Sequence, residues 1–248
     1  MALVAVSQQM VGKSRDVSKR LDGRVEVAGV AKIKKASHSV KKDARVSFKM
    51  ETAHALFANW APIINKNQNS PNIEIEIRLG TKGAKNFETD VGKATFDKVL
   101  KALTKYEGWE AKTIKQYAVY YGQEGRRVTV DEDTDETVAV IKKRVTVNDF
   151  TIEGSNLDCR LGVATEVPYE RDVDNEVMES VKSKKRWSFI RKNLSIDLSI
   201  VKGDPDDPDA DSDTTYQIEM EIIDPTKVKT RDEMFNILYK VFDLIKCV

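Results

Sequence analysis

Two distant segments of this chain, at 73–79 and at 216–222, place acidic residues between aliphatic ones. In a β-strand, successive side chains point to opposite faces. Each segment therefore predicts a strand with one aliphatic face and one face that carries two carboxylates. The four residues concerned are Glu74, Glu76, Glu219 and Glu221.

These carboxylates have two interpretations. A single strand of this kind is most often part of an antiparallel sheet with one face in water. Two such strands, each with hard oxygen ligands at a spacing of two residues, also suit a divalent cation held between neighbouring strands. If the two strands adjoin, their carboxylates repel one another, and the pKa of at least one is expected to rise.

The remaining pattern predicts a closed barrel. Short strands with polar turns are predicted at 73–79, 112–121, 126–131, 137–147, 157–167, 186–191, 194–202 and 216–223. Eight strands are enough to close a sheet with no exposed edge. We therefore predict a mainly β (α+β) fold, a closed eight-stranded β-barrel with flanking helices.

The flanking helices are predicted from apolar residues at helical spacing, around 56–64, 96–106 and 234–245. Thr230 and Glu233 form a capping box that begins the last helix. The Asp-rich segment at 203–213 has the start of a calcium-loop spacing, but it lacks the glycine and glutamate that such a loop needs. We interpret it as a solvated strand connection.

Charge is unevenly distributed along the chain. The whole sequence has 41 basic and 40 acidic residues, so its net charge predicts no partner. Residues 1–49 hold twelve Lys and Arg against four acids and show little apolar periodicity. This segment is predicted to be a flexible basic tail, which either touches RNA or a partner or is a solvated extension. Residues 50–248 are predicted to form one folded domain.

Cysteine usage and hydropathy bear on the compartment. Cys159 and Cys247 do not make a disulfide framework, which favours a reducing interior. No apolar run approaches the ~20 residues that span a bilayer, and the first residues lack the features of a signal peptide. The expected location is intracellular, in the nucleus or cytoplasm of a host cell, or in a virion if the chain is viral.

Basic strands lie between the two acidic ones. By alternation, Arg127, Lys184 and Arg186 fall on the charged faces of their strands. A barrel interior that holds both carboxylates and cations is costly unless the charges are paired, hydrated or liganded. A metal ion together with a polyanion would satisfy both sets, and a triphosphate is the substrate that this chemistry implies.

Seven ordered motifs carry a family resemblance. They lie at 73–80, 127–131, 141–144, 164–168, 184–189, 196–199 and 218–222. In this order the chain resembles the metal-dependent RNA 5′-triphosphatases of fungi and large DNA viruses, within the triphosphate tunnel metalloenzymes. Ser195 and Gln217 depart from the fungal pattern, which has arginine and glutamate there.

The resemblance implies an antiparallel eight-stranded tunnel, with residues 50–248 as the triphosphate tunnel catalytic domain, and its motifs assign roles to most of the candidate residues. Mg²⁺ or Mn²⁺ is expected at Glu74, Glu76, Glu219 and Glu221. Glu166 is expected to orient or deprotonate the attacking water. The catalytic cations that hold the phosphates are expected to be Arg127, Lys143, Lys184 and Arg186. Further substrate contacts are expected from Arg78, Arg160, Asp197 and Ser199. Lys142 and Arg144 are expected to point outward.

The function that this resemblance implies is removal of the γ-phosphate from 5′-triphosphate RNA to give 5′-diphosphate RNA, the first step of mRNA capping. One alternative is a tunnel phosphatase for free nucleoside triphosphates, polyphosphate or another small triphosphate. A second is a non-catalytic barrel that binds phosphate or RNA. Expected partners are the triphosphate end of RNA and an RNA guanylyltransferase; a homodimer is left open, and no membrane is expected.

Overall fold

The structure is a computed structural model that describes residues 50–172, 176–204 and 214–248. The predicted basic tail and most of the Asp-rich segment lie outside the described residues. The described chain forms a sheet of nine strands and three α-helices. The strands are β1 Ile73–Lys82, β2 Phe87–Glu88, β3 Ala111–Gly122, β4 Arg126–Asp131, β5 Thr137–Phe150, β6 Asp158–Pro168, β7 Met178–Arg191, β8 Leu194–Lys202 and β9 Thr215–Ile222.

Eight of these strands close into a barrel. Neighbouring strands follow the order β1, β6, β5, β4, β3, β7, β8, β9, and β9 pairs again with β1. Every pairing is antiparallel. The predicted eight-stranded antiparallel barrel is therefore confirmed. The ninth strand, β2, is a two-residue addition that pairs with the end of β1.

β1 and β5 extend three residues beyond their predicted ends, and β7 is longer than predicted by eight residues at its start. The sequence predicts a strand at 186–191, but β7 begins at Met178. Its first half is largely polar and its outer face is partly exposed, so it lacks the apolar alternation by which a strand is usually detected.

The helices cover the outside of the barrel. They are α1 at 50–67, α2 at Lys93–Lys105 and α3 at Arg231–Ile245. The predicted capping box at the start of α3 is present, because Thr230 Oγ1 accepts a hydrogen bond from Glu233 N at 3.1 Å and Thr230 N donates to Glu233 Oε2 at 3.0 Å. No helix among the described residues is long and apolar enough to cross a membrane.

The hydrophobic core lies between the barrel wall and the helices. Ile75 and Ile77 on β1 and Met220 on β9 are fully or almost fully buried there, against residues such as Trp60 of α1 and Phe96 of α2. Because these strands direct their aliphatic faces outward, their charged faces point into the barrel. The fold therefore concentrates polar chemistry in its interior.

Candidate active site

Strand register brings the four glutamates together. The β1–β9 pairing places Glu76 opposite Glu221 and Arg78 opposite Glu219. Glu74 lies two residues from Glu76 and thus on the same inner face. The acidic strands at the two ends of the sequence are consequently neighbours in the barrel, and their carboxylates form one cluster.

Small residues on β6 leave room beside this cluster. Gly162 lies opposite Glu76 and Ala164 lies opposite Glu74. A Cβ atom on Gly162 would come within 3.1 Å of Glu76 Oε1, which is tighter than an ordinary contact. The absence of a side chain at Gly162 thus preserves space next to a carboxylate oxygen, where a ligand can sit.

Glu219 is surrounded by cations. Arg78 Nε lies 3.1 Å from Glu219 Oε1, and Lys184 Nζ lies 3.6 Å from Glu219 Oε2. Arg186 Nη2 follows at 3.9 Å. Burial alone would raise the pKa of Glu219, but Lys184, Arg78 and Arg186 together hold it well below its usual range. Glu219 is therefore ionised and links the acidic cluster to the basic strands.

Glu221 lacks cation contacts of the kind that Glu219 makes. Within the described chain it has no hydrogen bond or ion pair, although it faces Glu76 across the strand pair. Burial, followed by repulsion from Glu74 and Asp197, raises the pKa of Glu221 to about 7. Burial and the charge of Glu76 likewise raise the pKa of Glu74. The predicted rise in pKa within the cluster is confirmed.

The chemistry of these carboxylates fits a divalent cation. Among the described residues, no three carboxylate, histidine or cysteine side chains already stand in coordinating geometry. Glu76 instead contacts Arg78 Nη2 at 3.0 Å, and Glu74 accepts a hydrogen bond from Lys142. Metal binding would draw these carboxylates away from their cation partners, and it would neutralise the repulsion that helps to raise the pKa values of Glu74 and Glu221.

Glu166, on β6 beside β1, belongs to a second charged group in the barrel interior. Arg127 Nη2 donates to Glu166 Oε1 at 2.5 Å, and Lys142 Nζ lies 3.1 Å from the same oxygen. Burial opposes ionisation of Glu166, but Arg127 and Lys142 lower its pKa. Lys142 contacts both Glu166 and Glu74 and so connects the two groups.

The prediction for the basic segment of β5 was wrong by one residue. Lys142 pairs with Glu166 in the β5–β6 register and points inward, whereas Lys143 is exposed on the outer face. Arg144, opposite Ala164, also belongs to the inner face. Three consecutive basic residues offer a cation in either strand phase, and the outer face of β5 is not apolar enough to reveal which phase is correct.

Arg160, a predicted substrate contact, and Ser195, which departs from the fungal pattern, both have partners within the protein. Arg160 donates to both oxygens of Asp149, at 2.6 and 3.0 Å, and its guanidinium lies 4.7 Å from the ring centre of Phe87. Ser195, at the position of the fungal arginine, donates to Asp197 Oδ1 at 2.7 Å. Asp197 in turn lies 3.5 Å from Arg186 Nη1. Arg160 is thus already paired, and Ser195 supports the carboxylate beside Arg186.

Several buried donors in the barrel interior lack partners among the described residues. They are Nε of Arg127 and Arg186, together with the hydroxyl of the fully buried Ser199; Nε of Arg78 also makes no hydrogen bond, but it forms an ion pair with Glu219. An unpaired buried donor is costly, so these groups indicate a ligand or ordered water that accepts from them. Guanidinium groups match phosphate oxygens in charge and geometry.

A cavity on the outside of the barrel is not part of this site. A cavity of about 700 Å³ lies between α2, α3 and the turn from β7 to β8, with Tyr106 and Trp109 in its lining. It holds none of the residues predicted for catalysis. The chemically distinctive site of the described chain is the barrel interior.

A closed eight-stranded barrel with carboxylates and arginines in its interior defines a triphosphate tunnel fold. The family model described as "mRNA capping enzyme, beta chain" matches residues 31–245, and the chain belongs to this family. The family is one of metal-dependent RNA triphosphatases. Membership confirms the predicted enzyme class and the role in the first step of mRNA capping.

Solved structures with the same fold come from a fungus and a giant virus. S. pombe Pct1 RNA triphosphatase is 16% identical, with a TM-score of 0.59 over 76% of this chain and 89% of that one. The Mimivirus capping enzyme triphosphatase is also 16% identical, with a TM-score of 0.54 over 77% of this chain and 96% of that one. At this identity the likeness shows the fold alone. No curated protein matches the chain.

Proposed function

We propose that this chain removes the γ-phosphate from 5′-triphosphate RNA with the help of Mg²⁺ or Mn²⁺ held in the tunnel. One observation supports this above all others. Carboxylates without enough counter-charge lie beside buried arginine donors without acceptors, in a single enclosed interior. A metal ion bound to a triphosphate supplies what both sets lack.

Glu74, Glu76 and Glu221 are the residues proposed to hold the metal, with Glu219 contributing charge beside them. These three carboxylates lie on adjacent positions of β1 and β9, next to the space left by Gly162. When bound, the metal would neutralise charge on the γ-phosphate and on its leaving oxygen. Oxygen donors of this kind are those that Mg²⁺ and Mn²⁺ prefer.

The cations are proposed to bind the phosphate oxygens. Arg127, Lys142, Lys184 and Arg186 all contact carboxylates of the interior. A triphosphate would accept hydrogen bonds from them in place of some of these carboxylates. Phosphoryl transfer develops charge on equatorial oxygens, so donors fixed around the γ-phosphate stabilise the transition state.

Glu166 is proposed to act on the attacking water. Arg127 and Lys142 both contact Oε1 of Glu166, which leaves Oε2 without a partner among the described residues. Oε2 would accept a hydrogen bond, and then a proton, from water. Since its two cation neighbours keep Glu166 ionised, it can fulfil this role at neutral pH.

The decisive experiment compares Glu166→Gln with the unaltered protein. Glutamine keeps the size of the side chain but cannot take up a proton. We expect kcat for γ-phosphate release from RNA to fall by ~10²–10⁴-fold, with Mn²⁺ affinity unchanged. A parallel loss of Mn²⁺ affinity would assign Glu166 to the metal instead, and full wild-type activity in EDTA would exclude the metal-dependent mechanism.

The partners and compartment follow from the proposed reaction. The 5′-diphosphate product is what a guanylyltransferase consumes, so we propose such an enzyme as the next in sequence and as a partner. Cys159 and Cys247 are free thiols, which supports a reducing intracellular location. Sedimentation of the purified chain, alone and with a guanylyltransferase, would test this association and the homodimer together.

A further inference from the structure

The two ends of the tunnel differ in their inner-face residues. β1, β3 and β5 all run toward one end, because they alternate with antiparallel strands around the barrel. At this end, the inward-facing positions just beyond the proposed catalytic residues hold Tyr121 on β3, Arg144 on β5 and Lys182 on β7. We call these three residues the basic mouth. Each is placed by register, since Tyr121 lies opposite Arg127, Arg144 opposite Ala164 and Lys182 opposite Val119.

The side chains of the basic mouth are not engaged. Tyr121 is 37% exposed and has no ring contact or hydrogen bond in the described part of the chain. Arg144 and Lys182 are exposed, and neither has an ion pair with a described residue. This contrasts with the deeper cations, every one of which contacts a carboxylate.

The opposite end has another character. Its inner-face residues include Lys115 and Asp131, which pair with each other at 2.6 Å, and Val138. The turn that follows β4 at that end adds further acids, namely Glu132, Asp133, Asp135 and Glu136. A negatively charged RNA chain is repelled there, because like charges without neutralisation disfavour approach.

We propose that RNA enters the tunnel through the basic mouth, with its first base stacked on Tyr121 and its next phosphodiester held by Arg144 and Lys182. This inference rests on the proposed function. Tyr121 and Arg127 are direct cross-strand neighbours, about 5 Å apart at Cβ, so a nucleoside on Tyr121 adjoins the triphosphate site. Aromatic rings bind bases of any sequence by stacking, which suits an enzyme that accepts any transcript.

The basic mouth would distinguish RNA from smaller triphosphates. Tripolyphosphate has neither base nor phosphodiester, and ATP has a base but no following phosphate. Tyr121 is therefore expected to favour ATP and RNA, while Arg144 and Lys182 favour RNA alone. The Asp-rich connection leaves β8 at the same end, but residues 205–213 lie outside the described chain and form no part of this subsite.

The test measures kcat/KM for tripolyphosphate, ATP and 5′-triphosphate RNA. Arg144→Ala with Lys182→Ala is expected to lower the RNA value about 10-fold and to leave tripolyphosphate within about 2-fold. The dependence of RNA binding on salt should weaken by ~0.7 in logarithmic slope for each phosphate that the variant no longer neutralises. Tyr121→Ala should lower ATP and RNA about 5- to 10-fold, and Tyr121→Phe should restore both.

The matched control removes two cations from the outer faces of the same strands, by Lys143→Ala with Lys185→Ala. It is expected to leave all three substrates unchanged. Val138→Glu at the opposite end is also expected to leave RNA hydrolysis unchanged; a loss specific to RNA there would overturn the proposed entry. The proposed entry would also be overturned if the basic-mouth variants lost activity equally on all three substrates, or lost no activity on RNA. Neither result would contradict the γ-phosphatase function. A wild-type chain inactive on RNA would instead refute the function itself.

Discussion

The two sides of the barrel wall differ in what covers them. On the side of β1 and β9, Ile77 and Met220 point outward and are 1% exposed beneath the helices. On the side of β3 and β5, the outward residues Ile114 and Val145 are 60% and 48% exposed. Burial on one side forces a strict alternation of apolar and charged residues. On the other side both faces meet water or polar groups, so the sequence records the strand phase only weakly.

The largest loss of activity is expected from a substitution on the side of β1 and β9, which the helices cover. Glu221→Gln removes a carboxylate from the cluster that Glu74 and Glu76 share. We expect turnover on RNA to fall by at least ~10³-fold with the fold intact, because a neutral amide is a poor ligand for a hard cation. Glu179→Gln, an exposed change on β7, serves as the control. Turnover near the wild-type level in Glu221→Gln would remove this strand pair from the mechanism.

Two neighbouring lysines on β5, on the exposed side of the barrel, test which residues of that strand face inward. Lys142→Ala should lower kcat/KM by ~10²–10³-fold, as expected when a donor that stabilises transition-state charge is removed. Lys143→Ala, its immediate neighbour, should change it by less than about 2-fold. If Lys143 proved the more sensitive of the two, the inner and outer faces of β5 would have to be exchanged.

Lys142 and Lys143 show which part of the site could be predicted from the sequence and which part could not. The glutamates of β1 and β9 lie on the predicted inner face because aliphatic residues on the same strands fixed their phase. Arg127, Lys184 and Arg186 lie in the interior for the same reason. Lys142 could not be distinguished from Lys143, because only the register with Glu166 decides between them. The pairing of Arg160 with Asp149 was also beyond sequence reasoning, since it depends on side chains of two different strands.

The effect of a substitution on the free energy of unfolding should also differ between the covered and the exposed side of the barrel. Ile77→Ala removes a side chain that is 1% exposed in the core beneath the helices. We expect a decrease of about 2–5 kcal/mol in the free energy of unfolding, from reduced burial and the cavity left behind. Ile114→Ala, at 60% exposure, should cost no more than about 0.5 kcal/mol. If denaturant unfolding gave similar decreases for Ile77→Ala and Ile114→Ala, the two sides of the barrel would be equally covered.

The smallest effect concerns pH and the metal-free protein. Burial, with repulsion from Glu74 and Asp197, raises the pKa of Glu221 from 4.5 to about 7. The folded state therefore holds a proton that the unfolded state has released between these values, and the free energy of unfolding in EDTA should fall as pH rises from about 4.5 to 7. A difference of about 2.5 pKa units, at ~1.4 kcal/mol for each unit, corresponds to about 3.5 kcal/mol, most of which should be lost between pH 4.5 and 7.

Two controls connect this fall to Glu221 and to the metal. Glu166 and Glu219 have lowered pKa values, so their contributions disappear only as pH falls below about 4.5 and do not enter this window. Glu74, whose pKa is raised by burial and by Glu76, adds to the fall in the same direction. Glu221→Gln should largely remove the fall, since the glutamine does not titrate. Added Mn²⁺ should reverse it, because a cation that binds the folded state alone gains affinity as the carboxylate releases its proton. A free energy of unfolding in EDTA that stays flat from about pH 4.5 to 7 would show that the carboxylates of the covered wall are not crowded as the strand register requires.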